Sequence, residues 1–242
     1  MNKRECTSFQ EYYHCGLREA DYPQKIQYFL AAEKFLETLY APSVSEVVNL
    51  YLQLADCYFQ INDFDAAITV SQKIIQLDSE RAEGFFLLAN SYFKKEMYSQ
   101  ALKAYVIAMQ IDFENPLYHF HAGLTLFHLE EYQYAIISFD KAIEKDPDNA
   151  EYYFRRGYAF HQLIEKNENK EKNIFLAEQD YSRSISIQPF HADYYYHRAH
   201  FWRDIEKYEP AINDYTRALE LEYEDLETLY RERAWVYSRL NR

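Results

Sequence analysis

One spacing constrains this chain of 242 residues more than any other feature: side chains of matched size and type return every 34 positions. Ala67, Ala101 and Ala135 are separated by that step, as are Ala55, Ala89, Gly123 and Gly157. Phe64, Tyr98 and Tyr132 follow it, and so do Tyr51 with Phe85 and Ala108 with Ala142. A period of this length belongs to a supersecondary unit that cannot bury its apolar face alone and stacks on copies of itself. Inside each period the apolar residues recur at intervals of three and four, the pattern of an amphipathic helix. The small residues then mark places where two antiparallel helices approach closely. Composition agrees, because 4 glycines leave little for tight turns, hairpins or phosphate-binding loops. The expectation is an all-α fold.

The residues at these positions resemble the tetratricopeptide-repeat family, whose signature runs aromatic, Leu-Gly, Tyr, Ala, aromatic, Pro. One unit reads Phe85, Leu88-Ala89, Tyr92, Ala101, Tyr105 and Ala108, and the next Gly123, Tyr132, Ala135, Phe139, Ala142 and Pro147. A later one reads Tyr195, Ala199, Tyr208, Ala211, Tyr215 and Ala218. The resemblance implies a right-handed α-solenoid, a superhelix of antiparallel helix pairs, with about five units at 48–81, 82–115, 116–149, 150–191 and 192–225. Residues 1–47 are expected to form a degenerate helix pair, in which Tyr12 and Gly16 echo a first helix and Pro23 opens a second. Residues 226–242 are expected to form a capping helix with an apolar stripe of Tyr230, Ala234, Trp235 and Tyr237.

The sequence departs from the signature at His119, Leu126, Arg156 and Arg198, which read as local changes of packing. The fourth unit carries eight extra residues within Ile164–Asn173, expected to lengthen a loop or a helix. Asn62 and Glu130-Glu131 fall at exposed turns, and Asn62 suits the left-handed conformation that closes a helix.

The chain has 26 basic and 39 acidic residues, a net charge of -13, which disfavours nucleic acid and anionic membrane surfaces as partners. No run approaches the roughly 18 apolar residues of a membrane span, so no membrane insertion is expected. The first residues carry no secretory pattern, and Cys6, Cys15 and Cys57 have no metal-like spacing. Free thiols and a cytoplasmic location are the expectation. The motifs GxxxxGK[ST], HExxH, CxxC and GxSxG are absent, so neither catalysis nor a cofactor is expected. Asp193, His197, His200 and Asp204 share one helix face and are a candidate metal set. A single helix usually supplies only two ligands, so hydrogen bonding in a groove is the expectation there, and no metal.

The family resemblance implies that the first helices of successive units line a concave surface that binds a protein or peptide segment. The 34-residue shift places Leu52, Phe86, Phe120, Phe154 and, past the insertion, Tyr196 on one stripe. A second stripe holds Phe59, Phe93, Phe127, His161 and Arg203, and between them run Asp56, Asn90, Leu124, Tyr158 and His200. Phe86, Phe93, Phe120 and Phe127 are expected to be uncovered anchors for apolar side chains. Asn90 is expected to bond the ligand backbone, and His200 with Arg203 to form a polar end. The Lys and Asn pattern of co-chaperone repeats that grip a terminal carboxylate is missing, because Leu52, Asp56, His121, Glu151 and Arg155 stand there.

The function implied is a non-catalytic protein-protein interaction module, an adaptor or scaffold. Two alternatives stand beside it. The stretch Asp112–Leu126 is similar to type III secretion chaperones, which implies a chaperone of a translocator-like secreted protein. The apolar edges of the array instead suit self-association into a homo-oligomer.

Overall fold

The computed structural model describes residues 7–36, 42–166 and 169–240, so Cys6 lies outside the described residues. Among the described residues there are thirteen α-helices and no strand. The chain divides into two compact units, residues 1–125 and 126–242. The first holds α1 (Phe9–Arg18), α2 (Tyr22–Glu33), α3 (Val44–Gln60), α4 (Phe64–Leu77), α5 (Ala82–Lys94), α6 (Tyr98–Ile111) and most of α7 (Pro116–His128). The second holds the end of α7, then α8 (Tyr132–Lys145), α9 (Ala150–Glu165), α10 (Lys170–Ile187), α11 (Ala192–Asp204), α12 (Tyr208–Glu220) and α13 (Leu226–Leu240). Such short connections make consecutive helices antiparallel neighbours.

The helix starts carry their own polar groups. Ser43 and Glu46 form a reciprocal capping box at α3, and the Asp63 carboxylate accepts the Ala66 N–H at 3.1 Å at α4. The turns are more unusual. Asn62, Glu96, Glu130 and Glu206 have φ of 62°, 59°, 60° and 61°, the left-handed region. In each turn the next residue closes a long hydrogen bond back into the helix: Asp63 N–H to Tyr58 O at 2.9 Å, Met97 to Tyr92 at 2.9 Å, Glu131 to Leu126 at 2.9 Å and Lys207 to Trp202 at 2.8 Å. This is the Schellman closure, usually built on glycine. The expectation that scarce glycine means few tight turns is therefore corrected: the turns are tight, and asparagine and glutamate make them.

Small side chains sit where helices touch. Ala55, Ala89, Ala101, Ala135, Ala177, Ala199 and Ala211 are fully buried. A Cβ on Gly157 would stand 3.0 Å from Asp180 Cβ and 3.4 Å from the Ala177 carbonyl oxygen, so glycine is what lets α9 lie against α10. The first unit packs around Phe29, Leu50, Leu54, Cys57 and Ile74, with a further cluster at Leu88, Ala104, Tyr105 and Ala122. The second packs around Phe154, Tyr181, Tyr194, Phe201, Tyr215, Leu229 and Val236. Burial of these side chains supplies the main stabilisation, at roughly 1.5–3 kcal/mol for a large one.

The extra residues of the fourth unit lengthen both of its helices: α9 has 16 residues and α10 has 18, against 13 in α5 and 14 in α6. Arg156 and Arg198, which stand where earlier units have apolar residues, make buried ion pairs. Arg156 donates to Asp180 through Nε at 2.7 Å and Nη2 at 2.6 Å, and to Asp140 through Nη1 at 2.6 Å. Arg198 clasps Asp214 in the same two-pronged way at 2.7 and 2.8 Å.

Candidate functional site

The expected groove residues lie on the first helix of each pair, where intervals of four and three keep them on one face. In the first unit Leu52, Asp56 and Phe59 on α3 are half-buried, as are Phe86, Asn90 and Phe93 on α5 and Leu124 on α7. The phenylalanines are not bare. Phe59 packs edge-on against Phe64 and Phe93 against Tyr98, each with ring centroids 5.5 Å apart. In the second unit Phe127 meets Tyr132 at 5.1 Å, so the same ring contact recurs at each turn. Phe86 leans on Tyr118 at 5.0 Å, His121 at 5.2 Å and Tyr105 at 5.9 Å. Burial, with Lys94 adding to it, pushes the His121 imidazole down to about 4, so this ring is neutral near pH 7. Asn90 Oδ1 accepts the Tyr105 hydroxyl at 2.6 Å, which orients its amide.

Four expected groove residues are covered. Phe120 is 9% exposed, so the expectation of an uncovered anchor is corrected for it, and Phe154 at 4%, Tyr196 at 8% and His161 at 3% are buried as well. Phe154 is flanked by Tyr194 at 5.0 Å and His197 at 5.1 Å, and Tyr196 is stacked on Tyr223 at 4.2 Å. A side chain on a helix face is covered or bare according to what neighbouring helices place over it, which spacing alone does not encode.

In the second unit the faces of α9, α11 and α13 enclose three adjoining cavities. One, of about 310 Å³, is bordered by Glu151, Phe154, Arg155, His191, Asp193, Tyr194 and His197. The next, of about 290 Å³, shares His197 and adds Tyr158, His161, Gln162, Tyr196, His200, Arg203 and Asp204. A third, of about 480 Å³, shares Arg203 and Asp204 and adds Arg231, Glu232 and Trp235. The expected residues Tyr158, His161, Tyr196, His200 and Arg203 are thus brought together around one cavity. Stacking of Phe127 on Tyr158 at 5.1 Å places a phenyl ring beside it.

The charges of this trough are balanced internally. Arg155 donates to Glu151 at 2.6 Å, and Arg203 is bonded to Asp204 at 2.8 Å and to Glu232. Burial alone would raise the Asp204 carboxyl, but His161 and Arg203 beside it hold it below the usual carboxylate range. Burial drives the His197 imidazole down to about 4, with Arg155 adding to the effect. It drives His200 down to about 3, with Arg203 adding to the effect. Both rings are therefore neutral near pH 7.

His197 borders two of the cavities; it belongs to the Asp193–Asp204 face expected to hydrogen-bond in a groove, and neither groove stripe contains it. It belongs to a line one residue further on, His121, Arg155, His197 and Arg231, generated by the same shift. Of the candidate metal set, Asp193 faces His191 at 3.4 Å while Asp204 serves Arg203, and no group of metal-ligating geometry occurs among the described residues. His119 is a packing residue, its Nε2 2.8 Å from the Phe113 carbonyl oxygen. Cys57 is buried and Cys15 half-buried. No helix among the described residues is long and apolar enough to cross a membrane.

Family profiles match this chain in three places. The profile described as TPR repeat covers residues 123–163, and Tetratricopeptide repeat covers 192–225. The profile of anaphase-promoting complex, cyclosome, subunit 3 matches twice, at 27–108 and 62–142, two overlapping windows displaced by about one repeat. No curated protein sequence matches. Among solved structures the chain is similar to the MamA protein, at 21% identity and a TM-score of 0.64, over 76% of this chain and 96% of that one. It is similar to YrrB, described as a TPR protein with an unusual peptide-binding site, at 21% identity and a TM-score of 0.63, over 79% and 98%. MamA from Desulfovibrio magneticus gives 13% identity and a TM-score of 0.66, over 74% and 97%. At these identities the likeness is one of fold.

Proposed function

Because this chain belongs to the tetratricopeptide-repeat family, we propose that it is a non-catalytic protein-protein interaction scaffold that holds a segment of its partner against the first helices of its repeats. The observation that carries this reading is the run of three adjoining cavities along α9, α11 and α13, about 310, 290 and 480 Å³, open to a chain laid across them. The half-buried rings of Phe59, Phe86 and Phe93 supply apolar contacts in the first unit, and Phe127 with Tyr158 in the second. Leu52, Asp56, Asn90 and Leu124 stand on the same helix faces of the first unit, and His200 with Arg203 provides the polar end in the second. The peptide-binding site named for YrrB is consistent with this use of the fold.

The test is capture of partners from native lysate by the intact chain and by a Phe93→Ala/Phe127→Ala variant with an unchanged circular dichroism spectrum. Loss of the captured set from the variant supports the reading, and an identical set from both proteins sinks it.

A second reading, self-association, is favoured by large apolar side chains standing in solvent on the second helices. Tyr134 is 61% exposed, Ile137 55% and Phe175 58%. Sedimentation at two concentrations separates it from the first, because a self-associating chain shifts to heavier species on concentration.

A further inference from the structure

The cavity of about 310 Å³ draws its walls from two elements. Helix α9 supplies Glu151, Phe154 and Arg155, and the start of α11 supplies Asp193, Tyr194 and His197, with His191 just before it. Each wall carries a charged group open to solvent: the Arg155 side chain is 40% exposed and that of Asp193 52%. Arg155 uses only its Nε, which donates to Glu151 at 2.6 Å, and no hydrogen bond among the described residues occupies Nη1 or Nη2. The other Glu151 oxygen accepts the Tyr194 hydroxyl at 3.2 Å. Asp193 meets His191 through Oδ2 at 3.4 Å, which leaves Oδ1 open.

Both charges stand near one ring. Burial lowers the pKa of the His197 imidazole, Arg155 adds to that and Asp193 opposes it. A ligand carboxylate approaching Arg155 therefore meets Glu151 and Asp193, and a ligand ammonium approaching Asp193 meets Arg155. The two walls suit a neutral group that accepts on one side and donates on the other.

We propose that this cavity takes one main-chain peptide group of the bound partner segment, its carbonyl oxygen accepting from Arg155 and its N–H donating to the Asp193 carboxylate. This rests on the peptide-binding reading above and specifies how one point of the segment is held whatever its side chains. A trans peptide group is planar, with C=O and N–H pointing in opposite directions, so it reaches two walls at once. The carboxamide of Asn or Gln carries its oxygen and nitrogen at one end of a side chain and addresses a single wall. Hydrogen bonds to charged partners are stronger than neutral ones, and here they form with no charge on the ligand. The cavity shares His197 with the next, so a segment held here runs on toward Tyr158 and His200.

The experiment pans a displayed library of random linear dodecapeptides on the full chain, with an Arg155→Met/Asp193→Ala variant of native circular dichroism as the counter-target. Both substituted side chains are partly exposed, so the variant is expected to fold. Peptides enriched on the full chain alone are then remade with a backbone ester at each position in turn. An ester removes one main-chain N–H, weakens the carbonyl of the same group and leaves every side chain in place. The expected result is one position where the ester weakens binding by roughly tenfold or more. That loss disappears on an Asp193→Ala chain and returns on Asp193→Asn, which keeps the acceptor oxygen. Peptides enriched equally on both targets, an ester scan with no single sensitive position, a loss that persists on Asp193→Ala, or dependence on an Asn or Gln side chain instead overturns this proposal and leaves the peptide-binding reading standing. Enrichment of no peptide at all overturns both.

Discussion

Arg156 grips Asp180 with two parallel hydrogen bonds, Nε to Oδ2 at 2.7 Å and Nη2 to Oδ1 at 2.6 Å, across the interface of α9 and α10. The carboxylate side chain is 5% exposed and the guanidinium 22%. Burial works against the charged guanidinium, but the carboxylates of Asp180 and Asp140 outweigh it and raise its pKa. The equivalent pair in an earlier unit, Leu88 and Ala104, is apolar. Removing one partner of a buried pair strands a charge, whereas removing both does not. Asp180→Ala is therefore expected to cost about 3–5 kcal/mol, and the Arg156→Leu/Asp180→Ala double variant much less. Urea unfolding of the four proteins of the cycle measures the difference, and equal losses in the single and double variants would contradict it.

Phe120 shares its stripe with Phe86 but is 9% exposed. Its truncation to alanine is expected to cost about 3–5 kcal/mol of stability through the cavity it leaves. A thermal melt decides the matter: an unchanged midpoint would mean that the ring is not part of the packing.

Glu96 and Glu206 hold φ of 59° and 61°, which a residue with a Cβ adopts at a cost of roughly 1–2 kcal/mol. Glu96→Gly and Glu206→Gly relieve that cost but loosen the unfolded chain, so a net gain of about 0.5–1 kcal/mol each is expected. Differential scanning calorimetry would show the midpoints rising, and a fall in both would refute the account of the turns.

His121, His197 and His200 are pushed down to about 4, 4 and 3, chiefly by burial. In the unfolded chain the same rings titrate near 6.5, so below that pH the unfolded state binds more protons. Their contribution to stability is fully present above about pH 6.5 and is lost as the pH falls toward 4. Ring resonances followed by NMR should stay those of neutral imidazole down to about pH 4.5, with stability falling over the same range. Titration of His197 or His200 near 6.5 in the folded protein would count against their burial.

Much of the molecule was written in local spacing. The 34-residue return of Ala67, Ala101 and Ala135, and the small residues Ala55, Ala89 and Gly157, suffice to derive paired helices, because close helix contact tolerates only small side chains at those points. The stripes Tyr158, His161, Tyr196, His200 and Arg203 were also derivable, since an interval is a property of a single helix. Coverage was not. Phe86 and Phe154 occupy equivalent positions, yet the first is half-buried and the second is covered, because Tyr194 and His197 from another turn of the chain close over it. The buried arginine clasps likewise depend on groups distant in sequence. Periodicity specifies which way a side chain leaves its helix, and only the packed neighbours decide whether it meets solvent, a ring or an unanswered polar atom.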